Sequence, residues 1–486
     1  MRTGGLLRNT LLYLPVQLVS PLLQFTVTVV WTHLFDPAVY GIVAFVVAAQ
    51  ELTGGLGLAW WSVYLLRFRQ RYANTDPERF AAMDARVVAG GALSQVAFAL
   101  PVLALVGLDP SLALFAATAA YLASRAVLNH YGEVARAAHR IGVYSLAQLS
   151  SPVLGSGLSI LAAIVLRADA ATALAAMALG QTIGVIATAI GLRRAPRLGR
   201  FDPAIFREAR DFALPLIFSG LFVWAAANGV RVLVGAGEGV VGVGLFSVGW
   251  GLGQRLAAML ASLCAVAAFP LAVDRLEAGD RDGALRQVAL NGALMFGLMA
   301  PAAVGVALLA APFVRLVVAA QFQEATIVIL PLAVFTGAAR ALRVHTGDQT
   351  ALLLRRTRVM TLFNFLDAVA ALLGGAIGEH LGGGVGAAIG CLAGTCVGSM
   401  VAMTFVISRM GLRVPLAAIL AIIAAAAIMG AALGLAPPPT GALGLAVRIA
   451  VGALIYGVTI IVLAPSVRRF MLTQLAIVTR LRSRGA

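Results

Sequence analysis

Lysine is absent from this 486-residue sequence, in which all 36 basic residues are arginine. Charge of either sign is scarce, at 12% of residues against 61% hydrophobic, and the mean hydropathy is +0.95. That scarcity excludes a soluble fold, because a chain of this length has no interior large enough to hide so much apolar surface. The missing lysine reads as the compositional bias of a GC-rich bacterial genome and excludes nothing. Cysteine is rare too. Cys264, Cys391 and Cys396 lie in apolar stretches, with no CxxC pair and no histidine at ligand spacing. They support neither a zinc site nor a disulfide framework, and no metal or cofactor is expected. A small-residue cleavage site is lacking after Arg2 and Arg8, so the first apolar run is expected to stay as a membrane crossing.

What the sequence has in abundance is apolar runs. A hydrocarbon layer about 30 Å thick needs roughly 20 helical residues per crossing. Apolar runs bounded by arginine clusters, proline and glycine predict fourteen crossings, the first over Arg8–Leu34 and the last over Ala442–Leu463. The fold class expected is therefore an all-α polytopic membrane protein. Two arginines, Arg167 and Arg315, fall in outer loops and six fall within crossings, while the rest lie in segments on one face. The positive-inside rule makes that face cytoplasmic and puts both termini there, in a bacterial inner membrane. Membrane lipid is thus an expected partner. The net charge of +16 does not point to nucleic acid, since the arginines sit in short clusters between apolar runs rather than on one soluble face.

The outer loops hold Asp36, Asp109, Asp169, Glu238, Glu324 and Glu379, and the longest of them is Pro312–Glu324. A membrane-bound glycan polymerase or ligase needs a sizeable outer loop with catalytic acids or bases, so an enzyme is not expected. A weak repeat of about 200 residues pairs Leu14-Pro15 with Leu214-Pro215, and Gly41 and Phe45 with Gly242 and Phe246. Six helices per copy make the copies parallel, which predicts two lobes, residues 1–210 and 211–409, related by an axis along the membrane normal. Residues 410–486 add two helices and a basic cytoplasmic tail.

The stretch His33-Leu-Phe-Asp-Pro-Ala-Val-Tyr-Gly41 resembles a signature of polysaccharide flippases of the Wzx type, in the multidrug/oligosaccharidyl-lipid/polysaccharide exporter superfamily. Further segments are similar to the same family in the same order: Ala135-Arg-Ala-Ala-His-Arg140, Val241-Gly-Val-Gly-Leu-Phe-Ser247, Leu276-Glu-Ala-Gly-Asp280 and Leu381-Gly-Gly-Gly-Val-Gly-Ala-Ala-Ile-Gly390. The resemblance implies a two-lobed helical bundle that carries polyprenyl-pyrophosphate-linked oligosaccharide by alternating access, with polysaccharide assembly proteins as partners. One departure is plain. The family commonly places an acid just before an arginine late in helix 7, whereas Val230 precedes Arg231 here and Asn228 is the nearest polar group.

An ionisable group at helix centre costs about 2.5–3.5 kcal/mol to insert, so a chain keeps one only where a cavity or partner receives it. Six arginines lie in crossings: Arg125, Arg231, Arg255, Arg340, Arg343 and Arg448. Against them stand Glu51, Asp367 and Asp348, and the surplus of positive charge suits an anionic ligand. Guanidinium groups grip phosphate oxygens bidentately and keep their charge, which fits a lipid pyrophosphate in an arginine-lined central cavity. Arg255 sits deepest in its helix. Arg340 and Arg343 are three apart on one face and within reach of one ligand, or they mark a cytoplasmic helix end. Arg125 and Arg448 also fit snorkelling to the interface, and Arg231 admits both readings. Glu51 fits either a coupled proton or cation, or a structural ion pair. Asp367 and Asn364 line the pathway or bond across helices, and Asn228, Gln24 and Gln17 offer hydrogen bonds to sugar hydroxyls. The competing expectation is a cation-coupled drug exporter of the same superfamily, against which stands the lack of any acid between Arg8 and His33.

Overall fold

Helix formation here follows from the apolar runs themselves, because a chain in hydrocarbon must satisfy its backbone polar groups internally. A computed structural model describes residues 3–105, 107, 111–193 and 201–464. The basic tail and Asp109 lie outside them, as do the side chains of Leu14, Pro15, Gln17, Pro215 and Cys264. Among the described residues the elements are helices throughout. They are α1 (Thr3–Leu34), α2 (Pro37–Gly54), α3 (Trp60–Thr75), α4 (Pro77–Ala104), α5 (Leu112–Ala137), α6 (Ile141–Ser150), α7 (Ser156–Val165) and α8 (Ala170–Gly191). They continue as α9 (Pro203–Glu277), α10 (Arg281–Val317), α11 (Ala320–Leu342), α12 (Gln349–Leu353), α13 (Thr357–Met410), α14 (Leu416–Leu435) and α15 (Gly441–Leu463).

Three π-helical turns fuse neighbours into single rods: Gly55–Ala59 joins α2 to α3, Ser151–Gly155 joins α6 to α7, and Arg343–Asp348 joins α11 to α12. Among the described residues, eleven rods are long and apolar enough to cross a membrane. Two of them turn back on themselves. α9 breaks at Gly239 (φ 66°, ψ −164°) and α13 at Gly382 and Gly383, the latter with φ 58° and ψ −149°. Positive φ is the left-handed region that glycine enters without a Cβ clash, so each glycine makes the hairpin that the outer loop requires. With α1, the broken rods bring the crossings to the expected fourteen.

The helices overrun the apolar stretches on the arginine-rich side. α3 continues to Thr75 and α4 begins at Pro77, with only Asp76 between them, where the hydropathy pattern predicts a longer loop. The only breaker in that stretch is Pro77, which keeps Asp76 out of the helical region, and Asp76 accepts from the Arg79 N–H at 3.1 Å as an N-cap of α4. Two acids of the outer loops have the same use. Asp36 caps α2 through the Val39 N–H at 2.8 Å, and Asp169 caps α8 through Thr172 at 2.7 Å.

The chain forms two compact units. The first comprises Met1–Val248, Ala319–Ala325 and Asn364–Gly394, and the second Gly249–Val318, Thr326–Phe363 and Thr395–Ala486. This is a division by packing, and the two lobes remain an expectation of the repeat.

Inside the first unit, helices approach until backbones touch. A Cβ on Gly41 would lie 2.0 Å from the Val240 carbonyl oxygen, and one on Gly244 would lie 1.8 Å from that of Pro37. Around the second hairpin, Gly378 and Gly386 face each other in the same way, each 2.0 Å from the other's carbonyl oxygen if given a Cβ. Lipid offers no hydrophobic drive for helix association, so such close contact supplies the dispersion energy instead. The same hairpins interlock through carboxylates: Glu238, beside the first break, accepts the Gly384 N–H of the second at 2.8 Å.

α9 starts on a buried acid. Asp202 pairs with Arg79 of α4 and accepts from the Ala204 and Ile205 N–H groups at 2.9 and 3.2 Å. Burial alone would raise the Asp202 carboxyl, but the Arg79 guanidinium and those two N–H groups outweigh it and hold the group below the usual carboxylate range.

Two outcomes follow. Gly386→Ala should lower stability by roughly 1–3 kcal/mol in thermal unfolding of the detergent-solubilised protein, because a backbone has to move. Gly90→Ala, where an added Cβ meets nothing within 4 Å, should leave stability unchanged or raise it. A depressed carboxyl contributes stability above about pH 4 that is lost as pH falls through its folded value. Asp202→Asn should therefore melt earlier than the wild type at neutral pH and lose less on acidification to about pH 3.

Candidate functional site

The first unit carries a charged network inside its apolar helices. Glu51 projects from the last turns of α2, exposed, just before the π turn at Gly55–Ala59. On α9, Asn228 is 8% exposed and donates from Nδ2 to Glu51 Oε2 at 3.2 Å. Its Oδ1 accepts from Arg231 Nη1, and Arg231 Nε donates to Ser247 Oγ at 3.2 Å after the Gly239 turn. Acid and base are thus joined through one amide. The carboxylate that the sequence lacks beside Arg231 arrives from another helix. One turn before Asn228, Trp224 Nε1 donates to the Ala48 carbonyl at 2.8 Å and fixes α9 against α2. Arg125 on α5 is half-buried, and the buried Tyr121 one turn earlier lies in the field of both Arg125 and Glu51.

Glu51 opens onto a cleft of about 160 Å³ lined by Gly55, Trp60, Gly220, Leu221 and Trp224 among others. Sites for drug-sized ligands run to about 300–1,000 Å³. The cleft therefore admits a few heavy atoms and no whole oligosaccharide.

In the second unit the arginines part company. Arg343 opens the π turn Arg343–Asp348, whose i to i+5 geometry brings its two ends together. Arg343 Nη1 donates to both Asp348 oxygens, at 3.0 and 3.1 Å, and is 2% exposed. Arg340, half-buried, donates from Nη2 to Thr395 Oγ at 3.1 Å. The two guanidinium groups therefore serve different partners rather than one ligand. Arg255 is half-buried on α9, roughly 24 Å along the helix from Gly239 at 1.5 Å per residue. Arg448 is half-buried and donates to the Pro437 carbonyl of its own hairpin.

The remaining polar candidates lie apart from these arginines' bonds. Asp367 is fully buried, and the buried Asn364 donates to Ser219 Oγ of α9 at 3.3 Å. Gln24 donates to Ser20 Oγ at 3.2 Å within α1.

Sequence reasoning missed a second buried network in the first unit. Asp84 Oδ1 on α4 accepts from Trp61 Nε1 of α3 at 2.6 Å and lies 3.0 Å from His130 Nε2 of α5. His130 Nδ1 is 2.8 Å from Ser62 Oγ. Asp84, His130 and Ser62 are 3%, 1% and 4% exposed. The available signal was a histidine and an aspartate close to apolar runs, but the hydropathy pattern ends those runs short of both, at Val87 for Asp84 and at Asn129 for His130.

The fold agrees with what the chain is similar to. Residues 6–274 match the model of a family described as "Polysaccharide biosynthesis protein". None of the curated proteins matches the sequence. Among solved structures, the lipid II flippase MurJ in an inward closed conformation superposes with a TM-score of 0.76 at 13% identity, over 94% of this chain and 99% of that one. A multidrug resistance MATE family transporter of the MOP superfamily, inward-facing, gives 0.53 at 19% identity over 83% and 98%. The Vibrio cholerae MATE transporter VcmN in the bent form gives 0.52 at 14% over 87% and 98%. At these identities the likeness is one of fold.

Breaking the buried ion pair has a defined cost. Arg343→Met should destabilise the protein by about 3–5 kcal/mol, because the buried Asp348 carboxylate loses the guanidinium that balances its charge, and Arg343→Met with Asp348→Leu should recover most of it. Thermal unfolding of the two variants beside the wild type measures both.

Proposed function

The chain belongs to the polysaccharide biosynthesis protein family, and from that footing we propose that it flips a polyprenyl-pyrophosphate-linked oligosaccharide from the cytoplasmic to the outer leaflet of a bacterial inner membrane. The observation that carries this reading is the surplus of guanidinium over carboxylate within its apolar helices. Besides Arg343, which is paired with Asp348, the arginines proposed to meet the anion are Arg125 and Arg231 in the first unit and Arg255 and Arg340 in the second. The MurJ superposition supports the class of cargo by analogy of fold.

Arg231 is suited to a hand-over. At rest its charge is answered through Asn228 by Glu51. An arriving pyrophosphate offers it a bidentate partner in place of one neutral amide oxygen, so the guanidinium is never left bare in hydrocarbon. The polyprenyl tail stays in lipid while the glycan crosses by alternating access, both termini remaining cytoplasmic. Polysaccharide assembly proteins complete the list of partners.

The fold likeness to MATE transporters favours a second reading, a cation-coupled exporter in which Glu51 binds the cation. Transport of lipid-linked oligosaccharide by the purified protein in vesicles separates the two. Arg231→Gln, and Arg255→Ala combined with Arg340→Ala, should each slow it at least ten-fold (~1.4 kcal/mol) with folding intact. Unchanged flux in these variants, or export of cationic dyes that depends on Glu51 alone, would overturn the anionic reading.

A further inference from the structure

Two neighbouring features of the second unit take no part in the reading above. The first is an apolar cleft of about 230 Å³ between α10 and the start of α14. From Phe296 onward the two helices pack directly, with Phe296 and Ala300 against the cluster that holds Ala421, Ile422 and Ala425. Tyr456 of α15 adds a hydrogen bond to the Gly297 carbonyl at 2.6 Å. Nearer the arginine-rich end α10 and α14 part, leaving Ala289 and Ala293 on one wall and Val414, Pro415 and Ile419 on the other. Leu290 and Leu294 of α10 and Leu416 and Leu420 of α14 are exposed beside it, so the cleft opens on hydrocarbon. An empty cleft there would cost its walls their dispersion contacts, and a hydrocarbon chain restores them.

The second feature is a small charged hollow, lined by Asp282, Leu285 and Arg286 of α10 and by Gly411 and Arg413. The segment that leads into α14 serves both features in alternation: Gly411 and Arg413 line the hollow, and Leu412 and Val414 line the cleft. On α10, Arg286 precedes Ala289 by three residues, about 4.5 Å along the helix. Arg286 and Arg413 are exposed. Asp280 is occupied as the N-cap of α10, accepting the Gly283 N–H at 2.7 Å, and Arg281 donates to the Met410 carbonyl at 3.3 Å. Two guanidinium groups against the one carboxylate of Asp282 leave the hollow a single surplus positive charge.

We propose that the hollow and the cleft form one binding site for an anionic phospholipid, its phosphodiester on Arg286 and Arg413 and one acyl chain between α10 and α14. The charges match, since a phosphodiester carries one negative charge where a pyrophosphate diester carries two. Guanidinium groups hold phosphate oxygens bidentately, and basic pockets between helices on the cytoplasmic side are where anionic headgroups settle. The hollow measures about 10 Å³, the room of about one water-sized group, so it seats a phosphate oxygen and leaves the rest of the headgroup in water. The chain fills the space where the helices part, and the lipid acts as a wedge that completes the packing of α14 on α10. Nothing in the site depends on which cargo the protein carries.

Native mass spectrometry of the detergent-solubilised full-length protein, with phosphatidylglycerol, phosphatidylcholine or lipid-linked oligosaccharide added, measures what stays bound. Thermal unfolding of the same samples reads the gain in stability. Expected is a single tightly held phosphatidylglycerol that raises the unfolding temperature, with phosphatidylcholine held at least about ten-fold more weakly. Arg286→Gln with Arg413→Gln should weaken phosphatidylglycerol binding at least about ten-fold, and so should Ala293→Phe, which fills the cleft and keeps both arginines. Val414→Phe, on the facing wall, replaces Ala293→Phe if that variant does not fold. Arg67→Gln with Arg207→Gln removes the same charge from the first unit and should leave binding unchanged. Equal retention of the two phospholipids, an equal loss in the first-unit pair, or a tight site that survives filling of the cleft overturns the proposal, as does displacement of phosphatidylglycerol by an equimolar amount of lipid-linked oligosaccharide.

Discussion

Hydrocarbon gives no hydrogen bonds, and every polar group carried into it must find its partner within the protein. The rest of this structure depends on that constraint. Backbone groups meet it by forming helices almost without interruption, and the Asp caps at helix starts answer amides that a helix cannot. Side chains meet it by bonding across helices. The buried pair of Arg343 with Asp348, the relay from Arg231 through Asn228 to Glu51, and the contacts of Asp84 with Trp61 and His130 are three solutions to one problem.

The solutions differ in how firmly they hold charge. Arg343 has both carboxylate oxygens of Asp348 and almost no exposure, an arrangement suited to fixing the π turn and little else. Arg231 donates to the Asn228 amide and Ser247 hydroxyl oxygens, and the Glu51 carboxylate accepts from that same amide. A guanidinium held by neutral groups exchanges them for an anion at less cost than one held by a carboxylate. Under the proposed function, in which an anion is bound and then released, the weaker hold is the useful one.

Two of the π turns sit beside these polar groups. Gly55–Ala59 lies between Glu51 and Ser62, and Arg343–Asp348 contains its own ion pair. A π turn widens the helix and redirects side chains that a regular α-helix would send to other faces. Glycine does complementary work at the contacts, where Gly41, Gly244, Gly378 and Gly386 let backbones touch and hold the frame on which those turns sit.

The sequence by itself determined the class, the number of crossings and the arginine surplus, because each is a property of composition along one dimension. Apolar runs of membrane length must become helices, and Gly239 and Gly383 lie where those runs must reverse. Helix ends were less legible: α3 and α4 continue past the apolar boundary because a helix stops at a breaker, not at a change of polarity. Only the tertiary structure decided the partners. Glu51 and Asn228 stand 177 positions apart, and no periodicity links them. Arg340 and Arg343 share a face by spacing, yet the π turn that begins at Arg343 changes the spacing rule and sends it to Asp348. His130 and Asp84 looked unremarkable in the chain for the same reason: a buried bond between helices is a fact of three dimensions, set by which rods lie side by side.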